Sequence, residues 1–274
     1  MYTLSLVKVR IRTPGVLRPV GSRFLSGWDA ASIYTRTPAV CSGMNRRRFL
    51  GASTALLVGS ATAGCLSAED TPDVPIFVDG PNGASSVDID ALRDRLDRYT
   101  TGDLSTTERE DIFFMREEEK VARDVYLVLA DEWGLTTHDQ ISDSEQTHMD
   151  AMLQLIEKYD LEDPATGVVG TFTNQDLQAF HDDLVEWGRT SVIASLKVGC
   201  RIEERDMRDI QVRLDRTDEE PIQLVYENLM KGSRNHLRAY YRRLTRYDGE
   251  YEPIYISQSQ FDEIVDSDWE TGPA

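Results

Sequence analysis

The sequence predicts an all-α fold of four long helices, with one long crossover between the second and third that itself holds a short helix. Apolar residues recur at alternating steps of three and four along four segments, the period of a helix that buries one face. Helix punctuation brackets these segments: a capping box at Ser105-x-x-Glu108, Pro221 at the head of the last and Gly249 as its stop. The connection from Asp160 to Thr190 is long enough to run helix pairs in directions that short turns forbid. A solenoid of helical pairs would need an internal repeat, and the sequence has none.

The front of the chain reads as targeting sequence. From Met44 runs Asn45-Arg46-Arg47-Arg48-Phe49-Leu50-Gly51, then an uncharged stretch Ala52 to Ala61, then Thr62-Ala63-Gly64-Cys65. A basic head, a short apolar run and small residues describe an export signal, too short for a stable membrane span. Residues 44–64 resemble a twin-arginine signal, and Ala63-Gly64-Cys65 resembles a lipobox, which implies a mature N-terminus at Cys65 carrying lipid. On that reading Met44 is the true start, and residues 1–43 are upstream sequence translated in error. The expected location is the outer face of the cytoplasmic membrane.

Leu66 to Ser86 is rich in Pro, Gly, Ser and Asp and reads as a flexible tether, and Val87 to Tyr99 suits a short amphipathic helix. Residues 65–99 thus link the lipid to a domain over residues 100–265, with 266–274 as a tail. Inside the crossover, Thr173 to Trp187 reads as the short helix, opening at Thr173-x-x-Asp176. After the fourth long helix, Tyr251 to Gln258 reads as an extended piece, followed by a short turn through Phe261 and Ile264 that covers the helices.

Each long helix carries its apolar stripe with one interruption. The first runs Met115, Glu119, Ala122, Tyr126, Leu129, Trp133; the second Glu145, His148, Met152, Leu155, Tyr159. The third, roughly Ser191 to Leu214, runs Leu196, Gly199, Glu203, Met207, Ile210, Leu214. The fourth, from about Pro221 to Tyr247, runs Val225, Leu229, Gly232, His236, Ala239 or Tyr240, Leu244. A carboxylate buried among apolar side chains is costly unless it is paired or bound to metal. Three Glu and two His at mid-stripe are therefore most simply explained by a shared metal site. Glu145 and His148, three apart, share a helical face, and a carboxylate beside a neutral imidazole suits iron.

Other readings of the same residues stand beside this one. Glu145 is three residues after Ser142 and fits a capping box. Glu119 belongs to the run Glu117-Glu118-Glu119, and Glu118 shares a second stripe with Phe114, Val121, Val125 and Val128. Glu203 has Glu204 and Asp206 as neighbours, His236 fits a hydrogen-bonded core histidine, and Tyr126 fits a core tyrosine. His138 and His181 fall in connecting segments.

The motif Glu119-x-x-Ala122-x-x-x-Tyr126 resembles the first helix of bacterioferritin-like and rubrerythrin-like proteins, and Glu145-Gln146-Thr147-His148-Met149 resembles their Glu-x-x-His helix. Together with Met115-Arg116-Glu117-Glu118-Glu119-Lys120, Arg123-Asp124-Val125-Tyr126 and Gly232-Ser233-Arg234-Asn235-His236-Leu237-Arg238, they resemble a ferritin-like family of prokaryotic proteins known mainly as a domain of unknown function. The resemblance covers roughly residues 100–265. It implies a ferritin-like four-helix bundle with Glu119, Glu145, His148, Glu203 and His236 as ligands of iron, two ions or one, with manganese fitting the same set. Ser233 departs from the pattern, because a second Glu-x-x-His would place a Glu there. The site is then asymmetric, recruits Glu118, Glu204 or Asp206, or holds one metal. Tyr126 is placed as a redox or hydrogen-bonding neighbour.

Charge and cysteine content bound the partners. The chain of 274 residues has a net charge of -18, and from residue 65 onward it carries 21 of the basic and 47 of the acidic side chains. Such a surface repels nucleic acid and resembles that of proteins from salt-loving organisms. Of the three cysteines, Cys41, Cys65 and Cys200, no two form a Cys-x-x-Cys pair, which excludes a zinc ribbon or a rubredoxin-type iron site. The expectation is an exported, lipid-anchored di-iron protein, an oxidoreductase acting on peroxide, dioxygen or ferrous iron. Its partners are a small-molecule oxidant or metal ion and the membrane through Cys65, and a homodimer is compatible with the sequence. The alternative is a metal-binding or partner-binding module without turnover, which Ser233 favours.

Overall fold

A computed structural model describes residues 74–272. The expected export signal over residues 44–64, the expected upstream extension and the expected lipidation at Cys65 fall outside the described residues. The described residues are mainly helical, with a two-stranded antiparallel ribbon, β1 (Phe77–Val78) and β2 (Ser86–Val87), ahead of seven helices. These are α1 (Ile89–Leu96), α2 (Thr106–Trp133), α3 (Thr136–Lys158), α4 (Gln175–Gly188), α5 (Val192–Leu214), α6 (Glu220–Thr245) and α7 (Gln258–Asp266). Among the described residues no helix is long and apolar enough to cross a membrane.

The four long helices α2, α3, α5 and α6 pack as a closed ring: α2 on α3, α3 on α6, α6 on α5, α5 on α2. Between them lie Met115, Tyr126, Met152, Leu155, Ile210, Leu229 and Tyr240, all fully buried. The capping box forms at the start of α2, where the Ser105 side chain accepts from Glu108 N–H and the Glu108 carboxylate accepts from Ser105 N–H. α2 stops at Gly134, whose φ of 62° is left-handed backbone that glycine adopts without strain.

The turn into α3 is correspondingly tight, and this corrects two expectations. α3 starts at Thr136, so Glu145 lies inside the helix and not in a cap with Ser142, and His138 lies on its first turn, fully buried. The polar run Thr136-Thr137-His138-Asp139 hides that start, because it has none of the apolar repeat that marks the rest of α3.

The crossover between α3 and α5 is pinned by charged side chains of α2. Arg116 reaches Asp163 at 2.8 Å and the Met149 carbonyl at 2.6 Å, while Glu117 accepts from the backbone N–H groups of Thr173 and Asn174. Lys120, wholly buried, pairs with Asp124 and donates to Val168 O at 2.8 Å; Asp124 also accepts from Gly170 N–H at 2.8 Å. The Arg116-Glu117 and Lys120 part of the motif is thus clamp rather than chemistry. The cap of α4 is Asn174, one residue beyond the expected Thr173. His181 is on α4, the short helix expected inside the connecting segment, and it is buried.

Residues 74–87 differ from the expected tether. Ile76, Phe77 and Val87 are buried, Val87 N–H donates to Thr147 Oγ1 at 2.9 Å, and Asn235 Nδ2 donates to Ser85 Oγ at 2.7 Å. The Pro and Gly that suggested a loose chain make a tight turn at Pro81–Gly83. There the Gly83 φ is 85°, and an added Cβ would lie 2.4 Å from the Trp269 ring. The far end differs too. The expected short turn is the helix α7, which buries Phe261, and the packed chain continues past residue 265, with Glu270 paired to Arg234 and Arg238.

Candidate metal centre

Four helices each bring ligand-type side chains to one buried place between them. Glu145 on α3 is the hub: its Oε2 is 2.9 Å from His148 Nδ1 and its Oε1 is 2.8 Å from His236 Nδ1 on α6. Glu119 of α2 flanks one imidazole, Oε2 to His148 Nδ1 at 3.4 Å, and Glu203 of α5 flanks the other, Oε2 to His236 Nδ1 at 3.6 Å. The two rings stack with centroids 5.3 Å apart. Each of these five side chains is 2% exposed or less. Helical spacing does this, since Glu145 and His148 are three apart and each of the others is a mid-stripe position on its own helix.

The surroundings fix these side chains. Tyr126 donates from its hydroxyl to Glu203 Oε1 at 2.5 Å. His236 Nε2 faces the Ser85 carbonyl at 3.3 Å, so that nitrogen carries the proton and Nδ1 keeps a lone pair toward the carboxylates. His148 is held by packing: an added Cβ on Gly232 would lie 2.5 Å from its Nε2 and Cε1. Gly199 makes the same room for the Tyr240 ring. Both glycines in the stripes are therefore there for close approach.

The electrostatics are those of a cluster short of positive charge. Burial pushes the Glu119 carboxyl up to about 7, against the pull of His148, and raises Glu203 and Asp206 as well. Burial would also raise Glu145, but the imidazoles of His148 and His236 more than offset it and hold that carboxyl below the usual range. A proton and a metal compete for the same Nδ1 atoms: the carboxylates pull both imidazoles up in spite of burial, His236 to about 9, and a bound cation takes the proton's place. Glu119 Oε1, His148 Nδ1, His236 Nδ1 and Asp206 Oδ1 have no hydrogen-bond partner, although carboxylate oxygens stand close to both nitrogens. Lone pairs converging without hydrogen bonds fit a cation between them, and this donor set of oxygens and neutral imidazoles suits iron or manganese.

The remaining expected residues divide. Asp206 and Ser233 are buried and joined, Ser233 Oγ hydrogen-bonded to Asp206 Oδ2, next to Gly232, which abuts the His148 ring. Glu118 does not turn to it: Arg205 Nε holds its Oε1 at 3.1 Å within an ionic group that includes Asp209. Glu204 points to the C-terminal segment, where it accepts from the Tyr251 hydroxyl and from the N–H groups of Ile254 and Tyr255. Two participants escaped the sequence reading. Ser85 acts through its backbone carbonyl, which no side-chain pattern reveals. His138 accepts from the Tyr240 hydroxyl at Nδ1, 3.2 Å, and donates from Nε2 to Ser195 Oγ, 3.1 Å.

The family profile described as an uncharacterized protein domain, DUF2202, matches residues 108–268. The chain belongs to the DUF2202 family. The match contains every side chain of the cluster and leaves out Ser85. A relative, the uncharacterized protein MJ0754 of Methanocaldococcus jannaschii, is 47% identical over 170 residues, covering 62% of this chain and 92% of its own. The crystal structure of that hypothetical protein MJ0754 shares the fold with a TM-score of 0.62 at 46% identity, over 63% of this chain and 99% of its own.

Proposed function

We propose that the four long helices of this DUF2202 protein are a ferritin-like bundle, in which Glu119, Glu145, His148, Glu203 and His236 hold two iron ions for redox chemistry on a small oxidant. The observation that carries this reading is Glu145 set between two imidazole Nδ1 atoms at 2.8 and 2.9 Å, with His236 oriented by a backbone carbonyl behind it. Iron in such a site supplies electron exchange with peroxide or dioxygen, and manganese fits the same ligands. The protein's part is enclosure and orientation. Burial keeps bulk water and large molecules out, so the substrates are peroxide, dioxygen or ferrous ions. Tyr126, held protonated by burial and by Glu203 beside it, donates to that carboxylate and keeps it turned to the centre.

The same proposal places the protein outside the cell, tethered by a lipid on Cys65, on the strength of the signal-like residues 44–65. A second reading, a metal-binding module without turnover, is favoured by Ser233, which leaves α6 with one ligand where α3 has two. Elemental analysis of the purified protein, with peroxide and ferrous-iron consumption followed in the same sample, separates these. Close to two irons per chain with turnover supports the oxidoreductase, and metal without turnover leaves the second reading. A folded helical protein that takes up no metal ends both.

A further inference from the structure

We propose that Asp206 is the sixth ligand of this centre, presented by Ser233, and that it stands in for the carboxylate missing from α6. The proposal rests on the two-metal reading above. Asp206 lies three residues after Glu203 on α5, the spacing that Glu145 and His148 use on α3, so these two acids share the inward face. It is 4% exposed, and its Oδ1 has no hydrogen-bond partner. Its Oδ2 takes the Ser233 hydroxyl. Ser233 is three residues before His236 on the facing helix, where a glutamate would enter the site itself. A serine there is too short to reach a metal, but it steers an acid arriving from α5.

Charge balance argues for the same residue. Glu119, Glu145 and Glu203 around two divalent ions would leave one positive charge uncompensated in a dry interior, which is unfavourable. Asp206 brings the carboxylates to four and the sum to zero. Glu118 is not free to do this, being paired with Arg205, and Glu204 is taken up by the C-terminal segment. Gly232, next to Ser233 on α6, abuts the His148 ring, so the Ser233–Asp206 pair lies on the Glu119–His148 side of the centre. The two metal positions are therefore unlike: one takes Glu119, His148 and Asp206, the other Glu203 and His236, with Glu145 between. They fill unequally, the position with the extra carboxylate first.

Titration of the full-length, metal-free protein with Mn(II), followed by calorimetry and by electron paramagnetic resonance, tests this. The wild type should bind two ions in two steps and give the spectrum of a coupled pair. Asp206→Asn should bind one ion and lose the coupled spectrum, and Asp206→Glu should restore both. Ser233→Ala keeps the carboxylate and should weaken the first step by about 10-fold, as loss of an orienting hydrogen bond does. Circular dichroism separates loss of metal from loss of fold; if Asp206→Asn does not fold, the Ser233→Ala and Asp206→Glu results decide. Two coupled ions bound by Asp206→Asn with wild-type affinity, or an unchanged first step in Ser233→Ala, overturns the role of Asp206 and leaves the two-metal reading intact. A wild type that binds no Mn(II) removes that reading and this one together.

Discussion

The carbonyl oxygen of Ser85 stands 3.3 Å from His236 Nε2, so a segment outside the DUF2202 match orients a side chain at the heart of it. Asn235 holds that segment in place, donating to Ser85 Oγ at 2.7 Å and to the Glu270 carbonyl at 2.9 Å. Asn235→Ala removes both ties without touching the ring. The expected result is a loss of metal affinity of about 10-fold or more and of roughly 1–3 kcal/mol of stability from unpaired buried groups. Metal titration and thermal unfolding of the variant check the two effects separately.

Gly232 leaves no room for a methyl group, since its Cβ would meet the His148 ring at 2.5 Å. Gly232→Ala should therefore push the imidazole out of line and abolish binding at the Glu119–His148 position. Overpacking of this kind costs about 1–3 kcal/mol, so the fold should survive. Elemental analysis beside a melting curve distinguishes displaced ligand from unfolded protein. Full metal content in a folded variant would show that the ring has another place to go.

His138 gives the protein an acid-labile joint. Burial holds its imidazole down to about 3, below the ordinary value near 6.5 in the unfolded chain. The unfolded state therefore takes up the proton first. Stability is lost as pH falls from about 6.5 toward about 3, by up to about 5 kcal/mol at the acid end. His138→Gln abolishes that term, although it loses stability at neutral pH through the Tyr240 and Ser195 contacts. The stability gap between wild type and variant should shrink steadily on acidification, as urea unfolding at a series of pH values would reveal; a gap independent of pH contradicts the assignment.

Lys120 and Asp124 form a wholly buried pair that clamps the crossover through Val168 and Gly170. Lys120→Met leaves Asp124 with Arg123 as its ionic partner and removes the tie to Val168 O. Breaking a buried pair from one side costs about 3–5 kcal/mol. Limited proteolysis should then open the chain between Asp163 and Thr173 before anywhere else in the described domain.

The long helices and the five clustered side chains were legible because both depend on spacing. Glu119, Glu145, His148, Glu203 and His236 each interrupt an apolar stripe at a position facing the interior. What stayed hidden depends on contacts that spacing does not encode. Glu118 and Glu119 are adjacent buried acids in one run, and only the place of Arg205 on α5 shows which of them turns away from the cluster. Glu204 looks like a ligand until Tyr251 and the backbone after it arrive from the far end of the chain. The segment before α1 has the composition of a linker, yet three buried apolar residues, Ile76, Phe77 and Val87, and hydrogen bonds to Thr147 and Asn235 dock it.

The most direct measurement is anomalous diffraction at the iron edge from crystals of the protein grown with ferrous iron. Two peaks are expected, one within bonding distance of His148 Nδ1 and the other of His236 Nδ1, both beside Glu145. A single peak elsewhere, or well-ordered ligand side chains with no peak between them, would contradict it.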